Sequence, residues 1–230
     1  MKFENTWTGN FEGAFHGLRH PMESYHKSDS YKWSGCKTIE GEGMDCDCGF
    51  KLGENDLDLA QRMINAGTPN DKFLRQIFVS VDITAPLYWW KEADTYKVGT
   101  TADSTSTMHK LATTPITMDC FEMDDYDNVK IYDREPYNID TYINDVWEQL
   151  IEVCETLRHR YLETKDIKYW KELIRILPEG WLQTRTWTAN YAVLRNIYHW
   201  RKDHKLTEWH QFCNWIKTLP YADELLLFEN

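Results

Sequence analysis

Residues 84–92 read TAPLYWWKE and join a predicted strand to a loop rich in hydroxyl side chains. In the segment before them, Gln76 to Ile83, apolar and polar side chains alternate, and this period of two is typical of a strand with one buried face. Pro86 is expected to end the strand because proline has no N–H for a sheet hydrogen bond. The stretch therefore predicts a strand that leads directly into an aromatic helix start.

The loop that follows, residues 95–110, reads TYKVGTTADSTSTMHK. Its hydroxyls and backbone amides can donate several hydrogen bonds to one phosphate group. Lys97 and Lys110 add positive charge as point cations, without the two-pronged donor set of arginine. We interpret the loop as a phosphate-binding element, and a Ser/Thr-rich surface turn is the alternative. Its candidate donors are Thr100, Thr101, Ser104, Thr105 and Ser106.

Helical periodicity dominates much of the remaining chain. Leu59, Ala60, Met63 and Ile64 fall on one face of a helix that Asp56 is expected to cap. Together with the strand, the helical segments predict a helix-rich α+β fold. The further predicted helices begin at Ile139, span Ile167 to Ile176, span Thr188 to Arg201, and run to Leu219 from Thr207 as N-cap.

The length of 230 residues favours a single domain over residues 1–230. Seven of the eleven glycines precede Phe50, so residues 1–55 are expected to form loops and short strands. A net charge of -11 argues against binding to a nucleic-acid polymer, which needs a basic face, whereas a mononucleotide needs only a few cations. The sequence contains no apolar run long enough to span a bilayer, and we expect a cytoplasmic protein without a membrane partner.

The six cysteines are scattered along a chain too long to need disulfides, and we expect reduced thiols. Cys36, Cys46 and Cys48 lie near three histidines and form the one candidate metal site that the sequence offers. Their spacing does not match the two-residue knuckle of common zinc sites, so free cysteines are the preferred interpretation and no metal is predicted. The neighbouring histidines are His16, His20 and His26.

A second ordered set of residues lies nearer the C-terminus. It consists of Leu177-Pro178, Thr188-Ala189-Asn190, Leu194-Arg195-Asn196, Arg201 and Glu208-Trp209. Together with Leu59 to Lys110, this set resembles the flavin-dependent thymidylate synthases over roughly half of the chain, in the same order and spacing. The resemblance implies the helix-rich α+β fold of that family, with a mixed or antiparallel sheet, and a homotetramer with sites at subunit contacts.

The signature loop differs from that of the family in its charges. The family's Arg-His-Arg triplet is replaced by Thr95-Tyr96-Lys97, and Asp103-Ser104 stands where Asn-Glu is expected. Glu92 replaces a glutamine, and Gln76 replaces a histidine that lies near the flavin in the family. Ser106 matches the signature serine. The scaffold of the motif is therefore retained while its cationic character is reduced.

A literal Arg158-His159-Arg160 occurs elsewhere, but no strand precedes it and no serine-bearing loop follows it. We interpret this triplet as a solvated surface in the middle of the helix that begins at Ile139. Most of the eleven tryptophans are expected to pack in cores or subunit contacts. Trp89 and Trp90 are the expected exceptions, as rings that stack on a flavin or base.

The resemblance implies reductive C5 methylation, or hydroxymethylation, of a pyrimidine deoxynucleotide such as dUMP, with FAD, NADPH and methylenetetrahydrofolate. A flavin-free nucleotide-binding or regulatory module, or a structural oligomer, is the alternative. For Asn190 a helix cap, and for Asn196 a polar helix surface, also remain open. The implied catalytic residues are Arg201 and Ser106; the cofactor-binding residues are Gln76, Tyr96, Lys97, Asp103, Asn190 and Asn196; and the substrate-binding residues are Glu92, Ser104, Thr105, Ser106, Lys110, Arg175 and Arg201.

Overall fold

A computed structural model describes residues 1–32, 49–107, 111–134 and 139–229 of the chain. The architecture is helix-rich α+β, which confirms the predicted fold class. The strands are β1 Lys2–Gly9, β2 Tyr31–Lys32, β3 Phe50–Lys51, β4 Phe78–Pro86, β5 Thr101–Ser104, β6 Lys130–Arg134, β7 Ile139–Tyr142 and β8 Leu182–Asn190. The α-helices are α1 Phe11–Arg19, α2 Glu54–Ala66, α3 Leu87–Ala93, α4 Ile143–Thr164, α5 Ile167–Ile176, α6 Tyr191–Arg201 and α7 Thr207–Ile216.

The largest sheet orders its strands β1-β4-β8-β5. Two antiparallel pairs, β2 with β3 and β6 with β7, complete the strands of the described residues, and a register shift between Lys130 and Tyr132 interrupts the second pair. The chain divides into two compact units. The larger unit comprises Lys2–Ile83, Ala93–Asp103 and Arg185–Asn230, and the smaller comprises Met1, Thr84–Glu92 and Ser104–Thr184.

The core of the larger unit contains the inward face of β4. Ile77, Val79, Val81 and Ile83 are almost completely buried, as the alternation in the sequence predicts, because successive side chains of a strand point to opposite faces. The strand begins at Phe78 and ends at the proline that was expected to end it. Aromatic side chains of the helices complete this core, namely Phe11, Phe15, Phe73, Tyr191, Trp209 and Phe212.

Asp56 has a different role from the predicted one. Helix α2 begins two residues earlier, and the carboxylate of Asp29 accepts hydrogen bonds from the backbone N–H groups of Asn55 and Asp56, at 2.9 and 3.2 Å. The Asp56 side chain is instead fully buried beside Arg19. The prediction of Asp56 as N-cap is therefore wrong, because Gly53 is the N-cap residue and a carboxylate from a distant part of the chain accepts the hydrogen bonds of the first turn.

Three other sequence predictions also need correction in this unit. Residues 1–55 contain a helix, α1, in addition to short strands. The predicted helix over residues 188–201 starts only at Tyr191, because residues 188–190 pair in the sheet as the end of β8. Thr207 is the first helical residue of α7 and not its N-cap, since the extended Leu206 occupies that position.

The smaller unit is built around α4 and α5. Its core comprises Leu111, Ile116, Phe121, Cys154 and Leu173. Helix α4 begins four residues after the predicted start, because residues 139–142 pair with β6 as a strand. The first N–H groups of α3, in residues 87 and 88, donate to the carbonyl oxygens of residues 181 and 179 at 3.0 and 3.1 Å, which confirms the predicted helix start.

The Arg158-His159-Arg160 triplet lies within α4, away from a strand end, so it is not the signature. Its surface interpretation is wrong for Arg158, which is buried. The Arg158 guanidinium donates to both carboxylate oxygens of Glu155, at 2.7 and 2.8 Å, and this pairing holds the pKa of Glu155 below its usual value. Among the described residues, no helix is long and apolar enough to cross a membrane.

Candidate functional site

The loop between α3 and β5 lies along helix α6. At the C-terminal end of the helix, Arg201 Nε donates to the Tyr96 hydroxyl at 2.9 Å. The Arg201 guanidinium carbon lies 4.7 Å from the ring centroid of Trp209 and 5.6 Å from that of Tyr96. Two aromatic rings therefore fix the plane of this guanidinium, with the cation–π attraction expected at such distances.

At the other end of the helix, the loop approaches Asn190 closely. The Asn190 carboxamide oxygen accepts a hydrogen bond from Val193 N–H at 3.1 Å and caps α6, which confirms the capping interpretation of this residue. Gly99 has φ of 79°, and a Cβ added there would lie 2.8 Å from Asn190 Nδ2. Glycine is needed because neither the left-handed backbone nor the space accommodates a side chain.

A cavity of about 330 Å³ lies beside this loop in the larger unit. Lys97, Thr100 and Thr101 line it from the loop, and Arg185 and Trp187 line it from β8. The Thr100 hydroxyl donates to the carbonyl oxygen of residue 96 at 2.5 Å and holds the loop in its turn. The tertiary structure thus places the predicted cation and hydroxyls of the loop beside an arginine that the sequence analysis did not select.

Aromatic packing connects the cavity wall to the Arg201 cluster. Trp187 packs edge-on against Phe212 with centroids 5.8 Å apart, and Phe212 packs against Trp209 at 5.7 Å. Trp209 is fully buried and Trp187 nearly so. These tryptophans pack in the core, as predicted for most of the tryptophans, and they form a rigid floor for the loop above them.

Other predicted cofactor residues are separate from this cluster. Gln76 is exposed at the end of a 3-10 helix, Asn70–Gln76, and its carbonyl oxygen accepts from Asn10 Nδ2 at 2.8 Å. Asp103 is exposed on β5, and Asn196 is exposed on α6. The polar-surface interpretation of Asn196 therefore agrees with its position, and cofactor roles for these three residues stay predictions.

The smaller unit carries several of the predicted substrate residues. Thr105 N–H donates to the carbonyl oxygen of Thr184 at 2.9 Å, and its own carbonyl oxygen accepts from Gln183 Nε2 at 2.8 Å. Arg175 forms an ion pair with Glu172 on α5. The roles of Glu92, Ser104, Thr105, Ser106 and Arg175 stay predictions. Lys110 lies outside the described residues, as do Cys36, Cys46 and Cys48.

The stacking role predicted for Trp89 and Trp90 is wrong. Both side chains are only 1% exposed, and Trp90 Nε1 donates to the backbone carbonyl oxygen of Gln183 at 3.0 Å. Their rings pack against each other with centroids 4.9 Å apart. Because burial removes both faces from solvent, neither ring is available to a ligand in this conformation.

Arg185 is a functional candidate that was not among the residues predicted from the sequence. Its signal was the alternation through β8, in which Gln183, Trp187 and Ala189 are buried and lie on the same face as Arg185. Because residues from 188 onward were assigned to a helix, this period of two was not followed. A strand assignment would have placed Arg185 beside Trp187 on the inward face.

Replacing Gly99 with alanine is expected to lower the free energy of unfolding by about 1 to 2 kcal/mol, because alanine disfavours φ of 79°. The added Cβ would also displace the Asn190 side chain from its capping position. Urea denaturation checks the effect. Gly180→Ala is the control, since a Cβ there meets no atom within 4 Å. Equal stability of Gly99→Ala and the wild type would contradict the tight approach.

Comparison with solved structures identifies the fold. Two crystal structures of the flavin-dependent thymidylate synthase ThyX from Helicobacter pylori, both with FAD and dUMP, match the chain with TM-scores of 0.64 and 0.63. Each match covers 98% of this chain and 98% or 97% of the other, at 15% sequence identity. No protein-family model and no curated protein matches the sequence. The chain therefore has a fold like that of the flavin-dependent thymidylate synthases.

Proposed function

We propose that this chain binds a pyrimidine deoxynucleotide such as dUMP together with FAD and catalyses reductive C5 methylation, or hydroxymethylation, of the pyrimidine. The observation that carries the proposal is the position of Arg201, which lies at the end of α6 and stacks on Trp209. The fold around it is like that of a protein solved in complex with FAD and dUMP. NADPH as reductant, a folate-borne methylene, a homotetramer and a cytoplasmic location belong to the same proposal.

Arg201 would bind and orient the nucleotide. Stacking on Trp209 and the hydrogen bond to Tyr96 restrict its guanidinium to one plane. A guanidinium with a fixed plane loses less conformational entropy when it binds an anion or a carbonyl edge, and its planar donors match such acceptors. Arg201 can therefore hold the substrate in the orientation needed for reaction without forming a covalent bond to it.

The donor set of the cavity fits the phosphate groups of a nucleotide cofactor. Lys97 and Arg185 supply positive charge, and Thr101 supplies a hydroxyl donor, all within one cavity of about 330 Å³. FAD, when bound, would supply the hydride for the reduction. The residues of this chain would hold its phosphates, keep the loop in place and exclude water from the aromatic floor.

One observation favours a second candidate, a flavin-free nucleotide-binding module on the same fold. By resemblance, Asn190 matches an asparagine that contacts the flavin in the family. In this chain Asn190 is buried, and its carboxamide oxygen accepts the hydrogen bond that caps α6. Because one lysine replaces the signature arginines, the loop has fewer charged hydrogen-bond donors. Such a reduced set suits a single phosphate better than a whole flavin cofactor. This candidate predicts binding of dUMP without FAD.

Thermal melts of the purified protein with FAD, dUMP or both distinguish these functions. A ligand at about 100 times its Kd stabilises by about 2.7 kcal/mol, which corresponds to a rise in Tm of roughly 5 to 10 °C for a chain of this length. Stabilisation by FAD and dUMP, with visible flavin absorbance on the protein, is the expected result. Stabilisation by dUMP alone selects the second candidate, and no shift with either ligand contradicts both and favours a structural oligomer.

A further inference from the structure

We propose that Arg185 and Lys97 form a phosphate-binding subsite in the cavity beside the signature loop, and that the Asp94 carboxylate pairs with Arg185 until a ligand phosphate replaces it. In this assignment, a strand residue supplies the charge that the loop triplet lacks. The inference rests on the proposed function for the identity of the nucleotide, and it concerns the phosphate group that dUMP and FAD share.

Arg185 pairs with Asp94 in the lining of the cavity. Its side chain is only 16% exposed, and its Nη1 lies 2.8 Å from Oδ1 of Asp94. Both residues line the cavity, and the Asp94 side chain is 56% exposed. The guanidinium is therefore largely enclosed by protein, while the carboxylate that pairs with it is open to solvent and can yield its place.

The charges of the cavity favour a dianion. Two cations, Arg185 and Lys97, face one carboxylate, that of Asp94, among the lining residues. Exchange of the Asp94 carboxylate for a ligand phosphate leaves no buried charge unpaired, because the phosphate becomes the partner of Arg185 and the released carboxylate is exposed to solvent. A phosphate dianion attracts the two cations more strongly than a single carboxylate does, and a guanidinium can bind it through two donors.

The other lining groups complete a phosphate site. Thr101 brings a hydroxyl donor from the loop, and the Thr100 hydroxyl fixes the turn that contains both residues by donating to the carbonyl oxygen of Tyr96. Trp187, 6% exposed, forms an apolar wall next to Arg185. An apolar wall lowers the local dielectric constant, which strengthens the attraction between the cations and a bound phosphate.

The experiment measures binding to wild type, Arg185→Gln, Arg185→Lys and Asp94→Asn by calorimetry. The probes are dUMP, FAD and inorganic pyrophosphate, with deoxyuridine and riboflavin as their phosphate-free counterparts. Arg185→Gln should weaken phosphate-bearing probes by about tenfold, and Arg185→Lys by less, since it keeps the charge. Asp94→Asn should strengthen them by about fivefold, because its amide oxygen can still accept from Arg185 while the competing charge is gone.

The phosphate-free probes should bind to wild type and to the variants with equal affinity. Arg62→Gln is the matched control, since Arg62 forms an ion pair of the same 2.8 Å length with Asp58 on the exposed surface of α2. Its affinities should stay within about twofold of wild type. A melting curve shows whether each variant is folded. If Arg185→Gln is not folded, Arg185→Lys provides the test.

Opposite effects at Arg185 and Asp94 support the subsite, because a purely structural ion pair would weaken binding from either side. The proposal is overturned if both variants weaken binding, if neither changes it, or if wild type binds no phosphate-bearing probe. Wild-type binding of dUMP or FAD that does not depend on Arg185 overturns the subsite and leaves the proposed function intact. Arg185-dependent binding of pyrophosphate without binding of dUMP or FAD supports the subsite and contradicts the proposed function.

Discussion

Replacing Asp56 with alanine is expected to lower the free energy of unfolding by about 3 to 5 kcal/mol, the cost of leaving a buried cation unpaired. Asp56 is fully buried, and its Oδ1 accepts from Arg19 Nε at 2.7 Å. Its Oδ2 accepts from the Ser28 hydroxyl at 2.7 Å and from Ser30 N–H at 3.1 Å. The substitution removes the carboxylate while Arg19, only 5% exposed, remains buried.

The contribution of Asp56 should also depend on pH. Burial alone would raise the pKa of Asp56, but hydrogen bonds from Ser28, Ser30 and Arg19 outweigh it and hold the pKa below its ordinary value. Because the folded pKa lies below the unfolded value of about 3.9, the stabilisation is complete above that pH and is lost as the pH falls through the folded pKa. We expect the stability difference between wild type and Asp56→Ala to shrink below about pH 4.

Asp58→Ala is the matched control on the same helix. Asp58 forms an ion pair with Arg62 at 2.8 Å, but both side chains are more than half exposed. Its removal should change the free energy of unfolding by no more than about 0.5 kcal/mol. Denaturant titrations of the three proteins at neutral and acidic pH provide the measurement. A loss at Asp56 as small as that at Asp58 would show that Arg19 finds other partners or water.

Replacing Arg201 with alanine is expected to weaken dUMP binding by about 30-fold, or roughly 2 kcal/mol, if the proposed function is correct. The stacked guanidinium is fixed by Trp209 and Tyr96, so its hydrogen bonds to a ligand carry little entropic cost. Arg201→Lys should recover only part of the affinity, because an ammonium group has neither the planar fork nor the stacking surface.

Lys202→Ala is the control for Arg201. Lys202 is the next residue, carries the same charge and forms an ion pair with Glu229 at 3.0 Å. Lys202→Ala should leave dUMP affinity within about twofold of wild type, since it removes a charge at the same helix end but leaves the stacked guanidinium of Arg201 in place. Calorimetric titration with dUMP measures all three variants. Equal losses at residues 201 and 202 would assign the effect to general charge, and no loss at Arg201 would contradict its proposed role.

Predictions from the sequence are most accurate where the signal is local. The alternation through Val79, Val81 and Ile83 predicted a strand and its buried face, because side chains on a strand repeat every two residues. The chain also turns from strand to helix at Pro86, as predicted. The same local reasoning gave the residue limits of α5. These predictions hold because each depends on neighbours within a few residues.

Predictions from the sequence are least accurate where interacting residues are distant in the chain. Asp56 looks like a helix cap, but the carboxylate of Asp29, 27 residues away, accepts the hydrogen bond from the backbone N–H of Asp56 in the first turn of the helix. Arg158 looks like a surface residue until the carbonyl oxygen of Ala112 approaches its guanidinium at 3.4 Å. Arg185 gains its place in the cavity from Asp94, 91 residues away. Local periodicity carries no information about such pairings, because they depend on how the elements pack.

The sequence by itself determined the α+β class, the strand that precedes the aromatic helix start, and the loop that bears Lys97 and the hydroxyls. Those features follow from side-chain periodicity, the missing N–H of proline and the chemistry of hydroxyl donors. Only the tertiary structure decided that Trp89 and Trp90 are buried, that Arg201 stacks on Trp209, and that the loop faces Arg185. The reason is physical: burial and ion pairing are set by which surfaces pack together, and segments far apart in the chain supply those surfaces.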